Sequence, residues 1–252
     1  QMSLSKNTKQ DKIADYRLAL FEEAERLVLD DFPLKVAYIT ELLASERFSY
    51  KRLPEILPDP VLNIPVPIVD EAKVAKEDGE PDSKKRKAAN GTAVSGTPVY
   101  AVLNGSVPTN EHLGELMDEI RPMIRDTVET MNKIKMWITL QIPRIEDGNN
   151  FGVSIQEETL SEVRTVEGEA ASFLDQLSRY FVSRAKLLTK VAKYPHIADY
   201  RRAILDGDEK QFVNIRLVLT ELRNHFATLH DMITKNLEKI KKPRTSNMDS
   251  MY

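Results

Sequence analysis

Apolar residues return every three or four positions over three long stretches of this chain, and that spacing demands long helices. From Phe212 the series continues through Ile215, Leu219, Leu222, Phe226, Leu229, Ile233, Leu237 and Ile240. A second series holds Val163, Val166, Ala170, Leu174, Leu177, Phe181, Ala185, Leu188 and Ala192. A third holds Leu113, Leu116, Ile120, Ile124, Val128, Met131, Ile134, Ile138 and Ile142. Steps of three and four put such residues on one face of an α-helix, near the coiled-coil period. Ile13, Tyr16, Leu20, Ala24 and Leu27 begin a fourth series, which the pattern carries past Pro33 to Leu42 or Leu43. No stretch shows the apolar–polar alternation of a strand. The fold class is therefore all-α, an elongated four-helix bundle packed at shallow angles. A forty-residue helix would be about 60 Å long.

The chain divides into a first helix over 8–43, a connection over 44–106, and three further helices over 107–252. Seven of the thirteen prolines fall between Pro54 and Pro98, too many for a helix or a central strand. Within 70–106 an acidic run (Glu77, Asp78, Glu80, Asp82) precedes Lys84, Lys85, Arg86 and Lys87, followed by small and polar residues. That composition reads as a flexible insert between helices one and two, far longer than an ordinary connection. The second connection begins at Pro143, and the third lies near Tyr194, Pro195 and His196. Ser154 with Glu157 three residues later forms the pattern of a capping box opening the third helix. Pro122 should either kink the second helix or mark its first regular turn, and Gly207 should weaken the fourth.

With 41% hydrophobic and 30% charged residues the balance is globular. A net charge of −3 creates no whole-chain field favouring nucleic acid or an anionic membrane. The absence of cysteine excludes disulfides, thiolate metal sites and cysteine nucleophiles, and fits a reducing compartment. No apolar run reaches the roughly 20 residues needed to span a bilayer, and the N-terminus has no apolar signal-peptide core. His112, His196, His225 and His230 lack metal-ligand spacing, and no His-Glu-x-x-His or Gly-x-Ser-x-Gly occurs. Neither a metal, a cofactor nor an enzymatic activity of the chain's own is expected.

The most informative connection is Arg144, Ile145, Glu146, Asp147, Gly148, Asn149, Asn150, Phe151 and Gly152, introduced by Pro143. It lacks the glycine spacing and Lys-Ser/Thr of a phosphate loop, and no strand precedes it. A calcium loop needs acids or amides at alternating early positions, where this segment has Arg144 and Ile145. A plain turn accounts for Gly148 and Asn149, which tolerate left-handed backbone. The mixture of two acids, two amides, an arginine and an aromatic residue points instead to a loop of defined shape that contacts another molecule. At the C-terminus Pro243 stops the helix and leaves a tail ending in Ser250, Met251 and Tyr252, which either frays or docks into a partner's pocket. Lys84 to Lys87 is either a solvated charge run or a nuclear import signal.

Taken together, "MWITLQIPRIEDGNNFGVSIQEE" (136–158), "YPHIADYRR" (194–202), "LEKI" (237–240) and the "SMY" ending (250–252) resemble the 11S (REG-type) proteasome activator family, most closely its gamma branch. The likeness is strong over about 100–252 and looser over the first helix. It implies a four-helix subunit assembling into a ring-shaped homoheptamer that activates the proteasome core particle without ATP, for degradation of peptides and unfolded proteins. It further implies that 143–152 is an activation loop in which Asn149 is critical, and that Ser250, Met251 and Tyr252 dock between core-particle α subunits. Lys84, Lys85, Arg86 and Lys87 match the family's nuclear import signal in the insert, which implies the nucleus, with the cytoplasm as a second location. The competing expectation is a nuclear helical adaptor that recruits partners through its insert.

Overall fold

Pro33 has no amide hydrogen to give to a helix, yet the first apolar series passes it without a break. In the computed structural model, which describes residues 2–57 and 107–244 with side chains from residue 12 onward, helix α1 (Met2–Arg26) leads into one π-helical turn (Leu27–Asp31) and then α2 (Phe32–Ala44). The Phe32 amide donates to the Leu27 carbonyl, one residue further back than in an α-helix, and Pro33 falls in the first turn of α2, where a missing amide does little harm. Two short 3-10 turns (Glu46–Phe48 and Tyr50–Arg52) and a single turn α3 (Leu53–Ile56) follow. Three long helices complete the described chain: α4 (Glu111–Thr139), α5 (Phe151–Lys193) and α6 (Ala198–Lys241). The insert, including Lys84 to Lys87, and the final tail, including Ser250, Met251 and Tyr252, lie outside the described residues.

One expectation about the helices is narrowed and one needs correction. Pro122 sits in the interior of α4, so it does not mark that helix's first turn. Ser154 does not cap α5, because the helix begins three residues earlier at Phe151. The carbonyl of Asn150 already accepts the Ser154 amide at 2.9 Å, and the Ser154 hydroxyl bonds back to the same carbonyl at 3.3 Å. Gly207, in turn, lies within an unbroken α6.

The described residues form two compact units. The first takes those within Gln1–Arg52, Gly114–Ser178 and Phe212–Tyr252. Here the apolar series face inward: Ile120, Ile124 and Ile134 of α4, Val163 and Val166 of α5, and Leu219, Leu222 and Leu229 of α6 are buried. The rings of Phe32 and Phe226 meet edge to face at 4.9 Å. Around this core, charged pairs link helix to helix: Lys133 to Glu23 at 2.7 Å, Lys241 to Glu25 at 2.6 Å and Lys135 to Glu167 at 2.6 Å. Partly exposed pairs are worth about 0–1 kcal/mol each, whereas each buried Leu or Ile contributes about 1.5–3 kcal/mol. Packing therefore dominates, and the pairs favour one register. Burial alone would raise the Glu167 carboxyl, but hydrogen bonds from Lys135 and Asn132 outweigh it and hold the group below the ordinary glutamate value.

The second unit takes those within Leu53–Leu113 and Arg179–Gln211. It holds a buried polar cluster as well as an apolar one centred on Val191 and Ile204. Asp208 is fully buried and accepts hydrogen bonds from Tyr180 at 2.7 Å, Arg184 Nε at 3.1 Å and Asn110 Nδ2 at 3.0 Å. Asn110 also donates to the Ile56 carbonyl at 2.9 Å, and its Oδ1 accepts the Leu113 amide at 3.2 Å, which caps α4. Arg184 reaches the Pro108 carbonyl at 3.3 Å. Burial, together with the bond to Asp208, pushes the Tyr180 hydroxyl far above the usual phenol range. The expected core position Phe181 is instead 36% exposed, and the buried face of α5 here carries Tyr180, Arg184 and Val191. Asp208→Ala strands three donors and leaves the Arg184 charge unpaired. It should destabilise the protein by about 3–5 kcal/mol, seen as a lowered midpoint in urea unfolding followed by circular dichroism. Asp208→Asn should lose less.

Candidate functional site

The connection from α4 to α5 is built on two tightened turns. The Leu140 amide still makes an α-helical bond to the Met136 carbonyl, but the amides of Gln141 and Ile142 bond to Ile138 and Thr139, so the helix narrows before Pro143 ends it. Beneath this point Gln156 is fully buried, and its amide donates to the Ile240 carbonyl at 2.7 Å and the Gln141 carbonyl at 3.2 Å. One side chain thus ties together the ends of α4 and α6 at the start of α5.

The chain then reverses at Gly148 (φ +80°) and Asn149 (φ +47°). Consecutive left-handed residues make a sharp corner, and glycine and asparagine are the residue types that occupy it at least cost. Asn150 turns its amide to the Glu146 carbonyl at 3.4 Å, and Arg144 Nε donates to Glu146 Oε1 at 2.7 Å. Ile145 is completely exposed and Phe151 is 75% exposed. Two large apolar side chains in water beside acids and amides make a surface suited to another macromolecule.

Sequence reasoning missed the loop's anchor. Arg244, three residues beyond the end of α6, folds back onto the loop. Its Nη1 donates to the Arg144 carbonyl at 3.0 Å and lies 3.0 Å from Glu146 Oε2, while Nη2 donates to Asn150 Oδ1 at 3.0 Å. Beside it, the backbones of Gly152 and Pro243 touch. A Cβ at Gly152 would stand 2.1 Å from the Pro243 carbonyl oxygen, so no other residue fits without a shift. Gln156 did leave a signal, a polar residue in step with the apolar series of Leu160 and Val163. Arg244 left none.

The nine residues from Arg144 to Gly152 thus form one continuous feature, held by two helix ends and the segment after α6. Among the described residues no group of three or more His, Asp or Glu side chains could hold a metal, and no described helix is long and apolar enough to cross a membrane.

Family models match nearly the whole chain: "Proteasome activator PA28, N-terminal" over residues 7–69 and "Proteasome activator PA28, C-terminal" over 106–250. The chain is 46% identical over 241 residues to "Proteasome activator complex subunit 3" of Homo sapiens, covering 96% of this chain and 95% of that one. The Gallus gallus protein of the same name is 47% identical over 242 residues, with the same coverage. Among solved structures, the 11S subunit of the Plasmodium falciparum proteasome, PA28, superposes with a TM-score of 0.68 at 27% identity over 95% of both chains. The archaeal 20S proteasome–PA26 complex contains a chain matched with a TM-score of 0.52 at 14% identity, over 94% of this chain and all of that one, a likeness of fold.

Proposed function

Because the chain belongs to the PA28 family of proteasome activators, we propose that it is an ATP-independent activator of the proteasome core particle and breaks no bond itself. The observation that carries this reading is the loop from Arg144 to Gly152, fixed at its base and exposed at Ile145 and Phe151. Copies of the chain assemble into a homoheptameric ring. Each contributes a C-terminal tail, Ser250, Met251 and Tyr252, that docks between α subunits of the core particle. A single tail buries little surface and binds weakly, but tails on one ring share a high effective concentration and bind together.

Docking brings the loops against the segments that close the gate. The open gate is favoured only as far as the loops contact it better than the closed one. A loop clamped in advance loses little conformational freedom on contact, so more of its interaction energy goes to opening. Peptides and unfolded proteins then reach the proteolytic chamber. Lys84, Lys85, Arg86 and Lys87 direct the assembly to the nucleus.

Purified protein mixed with latent core particle, a fluorogenic peptide and no nucleotide tests the proposal. Peptide cleavage should rise severalfold above that of core particle alone, and the protein alone should cleave nothing. Light scattering should give a mass of seven chains. Core particle that stays at its basal rate despite forming a complex would sink the reading.

A further inference from the structure

Three contacts of one side chain tie the loop to the segment just after α6. We infer that Arg244 is a positioning residue that fixes the activation loop and refers it to the tail; this rests on the activator reading above. The guanidinium is planar with five donors, and here it reaches a backbone carbonyl, a side-chain amide oxygen and a carboxylate, all on the loop, each at 3.0 Å. Its side chain is 19% exposed, whereas Arg144, the other cation on Glu146, is 89% exposed and correspondingly screened. Arg244 therefore holds Glu146 and Asn150 more firmly than Arg144 does.

The neighbouring geometry allows little play. Pro243 is pressed against Gly152 at the start of α5, and Gln156 fastens the Ile240 carbonyl one turn earlier. Arg244, from which the tail continues in sequence, therefore lies at the loop's own base. Eight residues follow Arg244, a reach of at most about 29 Å fully extended. Wherever the end of that short tether is held, the loop is held within the same radius. Docking and gate contact thereby become one geometric event.

The test uses full-length Arg244→Gln and Arg244→Lys proteins with the tail intact. At saturating activator, Arg244→Gln should stimulate peptide cleavage roughly tenfold less than wild type, the loss of about one charge-assisted contact. Its affinity for core particle should stay within about threefold, since the docking residues are untouched. Amide hydrogen exchange across 145–150 should accelerate in the free protein while the mass stays that of the wild-type assembly. Arg244→Lys keeps the Glu146 pair but not the fork, and should fall between. Full stimulation by Arg244→Gln, unchanged exchange in the loop, or a loss of affinity that accounts for the whole loss of stimulation would each overturn the inference. If wild-type protein itself gives no stimulation, the activator reading fails, and hydrogen exchange alone decides whether Arg244 fixes the loop.

Discussion

An Asn149→Tyr protein is expected to assemble and bind the core particle as wild type does, yet leave peptide hydrolysis at the basal rate. Asn149 has φ +47°, directly after Gly148 at φ +80°. Asparagine accepts this left-handed conformation readily, while an aromatic residue there costs about 1–2 kcal/mol. A penalty of 1.4 kcal/mol reduces the population of each correctly shaped loop roughly tenfold. If, as proposed, several loops act together on one gate, the reductions multiply, and a modest local strain removes nearly all activity. The tail and the helix packing are untouched, which is why binding, measured by co-sedimentation, should persist. Asn149→Gly is the informative companion: glycine keeps the backbone and should retain most of the stimulation. Should Asn149→Tyr stimulate normally, the loop has no part in opening the gate.

Removal of Met251 and Tyr252 should give the opposite pattern, with loss of binding itself. In the proposed mechanism each tail contributes a weak contact, and binding depends on several contacts made at once. If truncation weakens every arm of the proposed ring by about tenfold, or 1.4 kcal/mol, the losses compound. Co-sedimentation with core particle should disappear at concentrations where wild type is saturated, and stimulation with it. The free truncated protein should keep its mass and its helical circular dichroism, because the described helices and their buried residues are left intact. A truncated protein that still activates fully would place docking elsewhere on the molecule.

These two outcomes differ in how far they were visible in the sequence. Gly148 and Asn149 announce a left-handed corner by residue type alone. The helices were legible for a similar reason: in the first unit Ile120, Ile124, Leu219 and Leu222 are buried where the three–four spacing puts them. Periodicity failed where the buried face turned polar. In the second half of α5 the apolar choice, Phe181, faces outward, and the inward positions hold Tyr180 and Arg184. Hydropathy cannot anticipate a buried arginine, because what makes it tolerable is Asp208, a residue 24 positions away. Arg244 was hidden the same way, since its partners Arg144 and Asn150 are 100 and 94 positions distant. Ser154 misled through a local motif. The corner at Gly148 and Asn149 lets the chain enter α5 at Phe151, so the capping pattern falls inside the helix.

Asp208 has a further consequence for the region between Ile56 and Pro108. Asn110 holds the Ile56 carbonyl and Arg184 holds the Pro108 carbonyl, and both are gripped by that one carboxylate. The two flanks of the intervening stretch are thus riveted to the helices. Closing a loop twice as long costs only about 0.6 kcal/mol more. A recognition cassette or a reporter spliced into that stretch should therefore cost the folded helices little stability.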